Sequence, residues 1–369
     1  TYECRPCRKN GTPYMEKAPV PYPPVLHSLA SASTITWLIH QKFELSIPLY
    51  RQEKEWEALG LRLSRATMSN WLLVVYRDWL VHIVHHLKLE LLKQRYLHID
   101  ETHVQVLKEP GRKNTSDSYM WVYCSIRDAV NPIRYFEYQP GRSGKYPEAF
   151  LREYEGYIHT DAYSGYNAVS GVKRCLCYTH LRRAFVDALP KDIHNSEASK
   201  PAEAILRLNQ LFNIESELEA LPPDQKKKER LIREKPLLEA FWSWAEKSAI
   251  GELPKSKLSK AFHYALNNRE GFWNYLEDGN CSISNSLAEN CIRPFVIGRK
   301  NWLFSGSPKG AEASAGIYTL VETAKANGLA PMKYIKYILS DMPGSAFLEH
   351  PEYLDDYLPW NPLVKEFCR

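Results

Sequence analysis

Three carboxylates occupy positions from which a chain can do chemistry. Asp100 follows the apolar approach Tyr96-Leu97 and precedes Glu101-Thr102, and Asp161 closes Tyr157-Ile-His-Thr just before Ala-Tyr-Ser-Gly. Glu289 lies in Asn285-Ser-Leu-Ala-Glu-Asn-Cys-Ile-Arg293, where Leu287, Ala288, Cys291 and Ile292 suit a core-facing side. A carboxylate at a strand end beside a Gly-containing turn reaches a cleft without being buried unpaired. Two Asp and one Glu offer only oxygen, which small hard cations such as Mg²⁺ require. Two such ions ~3.5–4 Å apart activate the attacking oxygen and stabilise the leaving oxygen in phosphodiester cleavage and transfer. Each acid also has a plainer reading. An Asp at a strand end can cap a turn, and Glu289 stands four residues before Arg293, the spacing of a helical ion pair.

Other groups could serve the same chemistry. His180 and Arg183 fall one helical turn apart, able to orient a scissile phosphate or neutralise its developing charge. A basic solvated helix face is the alternative. Cys177 and His180 have metal-like spacing, but no second pair lies nearby in the sequence, which argues against zinc there. Arg293, Arg299 and Lys300 flank the Glu289 segment with Trp302 and Phe304 interleaved, a pattern suited to a DNA backbone and an unstacked base. At least one of those two aromatics is expected in the core instead. Residues 49–59, Gly60 and Ser64-Arg-Ala-Thr-Met-Ser-Asn-Trp-Leu72 read as helix, tight turn and Ser-capped helix. Arg65, Thr67, Ser69 and Asn70 would then face phosphates or base edges, with Met68, Trp71 and Leu72 packed inward. Any two-helix corner gives this pattern, so it identifies DNA binding only beside other signals. Cys4-x-x-Cys7 is half of a four-Cys zinc ribbon.

The elements that must hold these groups follow from periodicity. From Leu26 to Leu92 apolar residues recur at helical spacing. Between Tyr96 and Cys177 the period shifts towards two, giving five strand candidates: 96–107, bent or interrupted at the acidic pair, then 119–126, 133–138, 157–161 and 172–177. A short helix is expected over 146–154 and another over 179–189. Residues 190–280 are rich in Leu, Glu, Lys and Ala and lack Val; their aromatics predict a helical block, and Lys226-Lys-Lys-Glu-Arg230 a solvated helix face. A helix returns over 284–293 and a last helical region over 311–339. Pro13, Pro19, Pro21, Pro23 and Pro24 predict an extended linker after Cys7.

With 369 residues, 44% hydrophobic and 25% charged, the composition is that of a globular protein and argues against disorder or a fibrous repeat. At ~150 residues per domain the length suggests two to three domains. The apolar run Trp71-Leu-Leu-Val-Val-Tyr76 falls far short of the ~20 residues of a membrane helix. No secretory signal opens the chain, so a soluble intracellular protein is expected. Eight Cys are too sparse for a disulfide scaffold and predict reduced, mostly buried thiols. The net charge of +5 alone does not establish a nucleic-acid partner. Starting at Thr1, the sequence is expected to be the tail of a longer protein.

Four motifs in one order decide among these readings. They are His98-Ile-Asp100-Glu-Thr; Thr160-Asp161-Ala-Tyr-Ser-Gly-Tyr166; Cys177-Tyr-Thr-His180-Leu-Arg-Arg183; and Asn285-Ser-Leu-Ala-Glu289-Asn-Cys-Ile-Arg-Pro294 with Gly298-Arg-Lys-Asn-Trp-Leu-Phe-Ser-Gly306. Together they resemble the bacterial insertion-sequence transposases of the IS sixty-six family, over most of the chain. The resemblance implies an α/β fold with a ribonuclease-H-like core and a DDE mechanism in which Asp100, Asp161 and Glu289 are the catalytic, metal-holding acids. It implies two Mg²⁺ ions, or Mn²⁺, and cleavage at the element ends followed by strand transfer into target DNA. It also implies double-stranded DNA as partner, a homo-oligomer on that DNA, no membrane and a bacterial cytoplasm. The expected layout is a zinc-ribbon remnant and linker (1–27), a helical DNA-binding region (28–92), a catalytic core (93–189 and 281–325), a helical insertion (190–280) and a helical tail (326–369). Relatives carry a further Cys pair upstream of the Cys4 position, so Cys4 and Cys7 are expected here as a half site without zinc. A metal-dependent nuclease that cuts without joining, and a non-catalytic helix-turn-helix protein, are the alternatives.

Overall fold

An 11-residue strand, β1 (Tyr96–Val106), is the centre of the architecture. On one side it pairs antiparallel with β2 (Asp117–Ser125), which pairs in turn with β3 (Arg134–Gln139). On the other side it runs parallel to β4 (Gly156–Thr160), and β4 to β5 (Val172–Leu176). The mixed sheet therefore has the order 3-2-1-4-5. This computed structural model describes residues 2–12, 14–16, 22–190 and 199–369. The expected linker prolines 13, 19 and 21 lie outside that set, while Pro24 is buried and its carbonyl accepts from Trp79 Nε1 at 2.8 Å.

All five predicted strands are present, and β1 corrects one expectation. Its register with β2 advances without a break from Leu97 opposite Ser125 to Gln105 opposite Asp117, so the acidic pair neither bends nor interrupts it. Consecutive strand residues point to opposite faces, and the Glu101 carboxylate finds Arg142 on its own face, so neither acid has to leave the ladder. Periodicity does not reveal β6 (Phe304–Ser305), a two-residue strand parallel to the end of β1.

Before the sheet come α1 (Ala32–Ile39), α2 (Leu49–Ala58), α3 (Arg65–Val75) and α4 (Val81–Leu92). α3 starts as read: the Ser64 hydroxyl accepts from Thr67 N–H at 3.1 Å, and Met68 and Leu72 are buried. Beyond β3 lies α5 (Lys145–Phe150), and beyond β5 lies α6 (Tyr178–Val186). α7 (Lys200–Glu217), α8 (Pro223–Glu229), α9 (Lys235–Ala249), α10 (Lys257–Asn267) and the short α11 (Arg269–Trp273) then build the helical block. That block has its own apolar core, in which Phe241, Trp242, Phe262, Phe272 and Tyr275 pack with Leu181 and Phe185 of α6.

The charge run at 226–230 is not wholly a solvated face. Arg230 is 0% exposed, in a π-helical turn that continues α8. Its guanidinium meets Glu215 at 2.5 and 2.8 Å and donates to the carbonyls of Tyr275, Asp278 and Cys281 at 2.8–3.1 Å. Five N–H donors find acceptors there, which is the condition for tolerating a buried guanidinium.

The Glu289 helix, α12 (Ser286–Trp302), runs well past the expected end at Arg293 and through Pro294. Packing carries it onward: Phe295 is buried, and a Cβ at Gly298 would come within 2.6 Å of the Tyr318 hydroxyl. Trp302 packs edge-on against Phe295 with ring centroids 5.3 Å apart, while Phe304 is exposed, so one of the two aromatics joins the core. The expected last helical region is two helices, α13 (Pro308–Ala326) and α14 (Pro331–Asp341), parted at Gly328 with φ +72°. α13 lies along β3, where the hydroxyls of Thr323 and Thr319 accept from the outward amides of Arg134 and Phe136 at 3.0 and 2.8 Å. No helix among the described residues is long and apolar enough to cross a membrane.

Candidate active site

Strand register brings the two aspartates together. Leu97 pairs with Ile158 and His98 with His159 across β1 and β4. Carried two residues past the last pair, the same offset matches Asp100 with Asp161, which lies just beyond the end of β4, and Asp161 acts electrostatically on Asp100. Asp161 directly follows the last residue of β4, and its Oδ1 accepts from Tyr163 N–H at 2.9 Å. Asp100 Oδ1 accepts from Glu101 N–H at 2.9 Å.

Glu289 arrives on the first turn of α12, and Asn285 fixes where that helix starts. This buried amide accepts from His98 Nδ1 at 2.9 Å and donates to Ile99 O at 2.8 Å, pinning the helix to β1 just before Asp100. The Asn285 N–H donates to Cys177 Sγ at 3.1 Å, tying in the start of α6. His98 is held well below its ordinary pKa, first by burial and then by His159, so it is neutral. Asn285→Ala strands the His98 donor and the Ile99 carbonyl. It is expected to cost about 1–3 kcal/mol of stability, measured by urea unfolding, because buried groups lose their partners.

Glu289 does not use the i,i+4 partner that the sequence offers. Its Oε1 faces His180 Nδ1 at 3.7 Å, beyond hydrogen-bonding distance, and both atoms are sealed from solvent without a hydrogen-bond partner. His180 is raised above its ordinary pKa, chiefly by Cys177, with Glu289 and Asp161 adding to the effect. Asp161, His180 and Arg183 line an open hollow of about 350 Å³ together with Arg142, Tyr163 and Tyr264. Tyr264 comes from α10, so the helical block contributes to the wall.

Electrostatics bind the group into a unit. Asp100 is pushed up to about 7, first by burial and then by Glu101, with smaller contributions from Asp161 and Glu289. Glu101 is also raised by burial, although Tyr166 donates to it at 2.5 Å and Arg142 at 2.6 Å. Arg142 reaches Asp161 Oδ2 at 3.9 Å and lies over the Tyr163 ring, 3.9 Å from its centroid. Such a cluster carries its full negative charge at neutral pH only with a cation nearby, and its oxygen donors fit a hard divalent ion.

The remaining sequence candidates lie elsewhere. Arg299 donates to Thr102 Oγ1 at 2.9 Å and to His103 O, fastening α12 to β1, while Arg293 and Lys300 are exposed on α12. Arg65, Thr67 and Asn70 are exposed on α3 and Ser69 is half-buried; none of them lines the hollow. Cys4 and Cys7 flank a hairpin in which Tyr2–Glu3 pairs with Met15–Glu16. Sequence reasoning gave no role to Glu101, Arg142, Tyr166, Asn285 or Tyr264. Glu101 carried a signal as the neighbour of Asp100, and Tyr166 and Asn285 as members of the ordered motifs; Arg142 and Tyr264 carried none.

The chain is 25% identical over 380 residues to the uncharacterized protein y4hP of Sinorhizobium fredii (strain NBRC 101917 / NGR234), covering 97% of this chain and 66% of that protein. It is 28% identical over 357 residues to y4qI of the same strain (90% and 63%), and 26% identical over 374 residues to y4jD (98% and 71%). The chain thus spans about two thirds of the length of the curated relatives it matches. The sequence model described as "Transposase IS66 family" matches residues 27–313, most of the chain and every strand of the central sheet. This protein belongs to the IS66 family of transposases.

Proposed function

We propose that this chain is the catalytic part of a DDE transposase, cutting a DNA strand at the element end and joining the freed 3′-hydroxyl to target DNA. The observation that carries the reading is the register match of Asp100 with Asp161, with Glu289 delivered beside them by α12. The sheet order 3-2-1-4-5, with acids on β1, after β4 and on a later helix, supports a ribonuclease-H-like core. In this reading residues 93–189 and 281–325 form that core, 190–280 the insertion, 28–92 a DNA-binding region, 326–369 the tail and 1–27 a zinc-ribbon remnant.

Asp100, Asp161 and Glu289 would hold two Mg²⁺ or Mn²⁺ ions, which when bound supply an activated oxygen nucleophile and a stabilised leaving oxygen. Arg183 and His180 bind and orient the phosphate from the wall of the hollow. Arg142 neutralises Glu101, which leaves Asp100 and Asp161 as the acids turned to the cation. On α3, Arg65, Thr67, Ser69 and Asn70 take the DNA duplex.

The test incubates the chain with duplexes bearing an element end, scoring both nicks and joined products. Nicking and joining should both appear with Mg²⁺ or Mn²⁺ and vanish in EDTA. Metal-dependent nicks that never join would replace the reading with a nuclease; DNA binding without any cleavage would replace it with a binding protein.

A further inference from the structure

We propose a separate site for a thiophilic divalent cation of the zinc class, formed by Cys177, His180 and Glu289. The ligand atoms of these three residues lie within 4.8 Å of one another. The pair that faces at 3.7 Å, His180 Nδ1 and Glu289 Oε1, is the pair without hydrogen-bond partners. Bonds of ~2.0–2.2 Å from nitrogen and oxygen to a tetrahedral ion set their separation near 3.4 Å, so a shift of a few tenths of an ångström brings His180 and Glu289 to that spacing, with the Cys177 sulfur within 4.8 Å of both. The main-chain N–H of Asn285 already donates to Cys177 Sγ, the kind of outer contact that orients a sulfur ligand. Three protein ligands leave one tetrahedral position for a water or substrate oxygen.

The chemistry of the donors selects the ion. Sulfur and imidazole nitrogen suit zinc and its neighbours, whereas Mg²⁺ requires oxygen. A second cluster, His159, Cys175 and Cys281, is equally tight but has no ring nitrogen to give. His159 Nδ1 donates to Leu97 O at 3.2 Å, and its Nε2 accepts from Ser282 N–H at 2.9 Å.

A regulatory consequence rests on the transposase reading above. Zinc that takes Glu289 Oε1 beside His180 competes with the Mg²⁺ pair for that carboxylate, so zinc should inhibit strand cleavage by withdrawing it. Zinc binding itself does not depend on the reading.

The experiment uses the full chain carrying Cys4→Ser and Cys7→Ser, which removes the other thiol pair. Zn²⁺ affinity is measured by competition with a chromophoric chelator, and Co²⁺ is the spectroscopic probe. One ion per chain should bind, with a sulfur-to-cobalt charge-transfer band. Cys177→Ser should abolish the band and weaken Zn²⁺ at least roughly 100-fold, beyond the 10–100-fold typical of losing an outer contact. His180→Asn should weaken binding comparably, while Cys175→Ser keeps band and affinity, with circular dichroism confirming that each variant folds. Unchanged affinity in folded Cys177→Ser overturns the site. Cleavage in Mg²⁺ is then compared with and without Zn²⁺, each protein against its own rate. Inhibition that Cys177→Ser relieves supports withdrawal of Glu289; zinc bound without inhibition overturns the withdrawal and leaves the site standing. Asp100→Asn should still bind zinc, so a failure of the DDE reading leaves a distinct signature.

Discussion

Asp100→Asn should lower strand cleavage and joining by on the order of 10³-fold or more, about 4 kcal/mol of barrier, while the duplex is still bound. Asp161→Asn and Glu289→Gln should do the same, since each removes a charged oxygen ligand and keeps the side-chain shape. Retained joining in any one variant would remove that residue from the proposed metal set. Asp100 adds a second, independent readout. Its pKa in the fold is about 7 against an ordinary 3.8. Between roughly pH 4 and 7 the unfolded chain has released this proton and the folded chain keeps it, so metal-free stability falls as pH rises through that window. Asn cannot titrate. Metal-free Asp100→Asn should therefore be more stable than the parent at pH 8, by up to about 4 kcal/mol in urea unfolding. A divalent ion must displace the same proton, so Mg²⁺ activation of the parent should rise with pH up to about 7. A variant that is inactive yet more stable distinguishes a site held under electrostatic strain from a misfolded one.

Arg230→Met should destabilise the protein by about 3–5 kcal/mol, because Glu215 is left charged and buried and three carbonyls lose a donor. The double change Glu215→Leu with Arg230→Met should recover part of that loss, since the carboxylate stranded by the single change is gone, although Lys226 loses its partner. Urea unfolding of the two variants measures both terms. Activity should fall as well. Arg230 grips the carbonyls of Asp278 and Cys281, a few residues before Asn285, which sets the start of the Glu289 helix. A freely solvated residue 230 would show neither effect.

The three acids stand out in the sequence through the motifs around them, which fall in a single order; of the three only Asp161 is at a strand end, Asp100 being in mid-strand and Glu289 on a helix. The register that matches Asp100 with Asp161 was not legible, since sequence separation has no meaning until β1 and β4 are known to be parallel neighbours. The Ser64 cap and the inward Met68 and Leu72 were readable because capping and helical period are local. Arg230 was misread for the opposite reason. Three lysines precede it, and nothing local tells that one guanidinium in a basic run will meet Glu215 and three distant carbonyls. The partners of Asn285 and Arg142 were hidden in the same way: they lie 186 and 41 residues off in the chain. Cys177 and His180 offered no second pair nearby in the sequence; the proposed third donor, Glu289, stands 109 residues further on, in another helix.

The threonines of α13 bear on how copies of this chain can assemble. A lateral strand normally leaves a row of amides that can template another chain. Here Thr319 and Thr323 occupy the amides of Phe136 and Arg134 on that margin. Continuous cross-subunit sheets are thereby blocked on the β3 flank, which confines any contact between copies along that margin to helices and side chains. Replacing both threonines by valine would bare those amides, and self-association growing with concentration is the outcome to look for by light scattering.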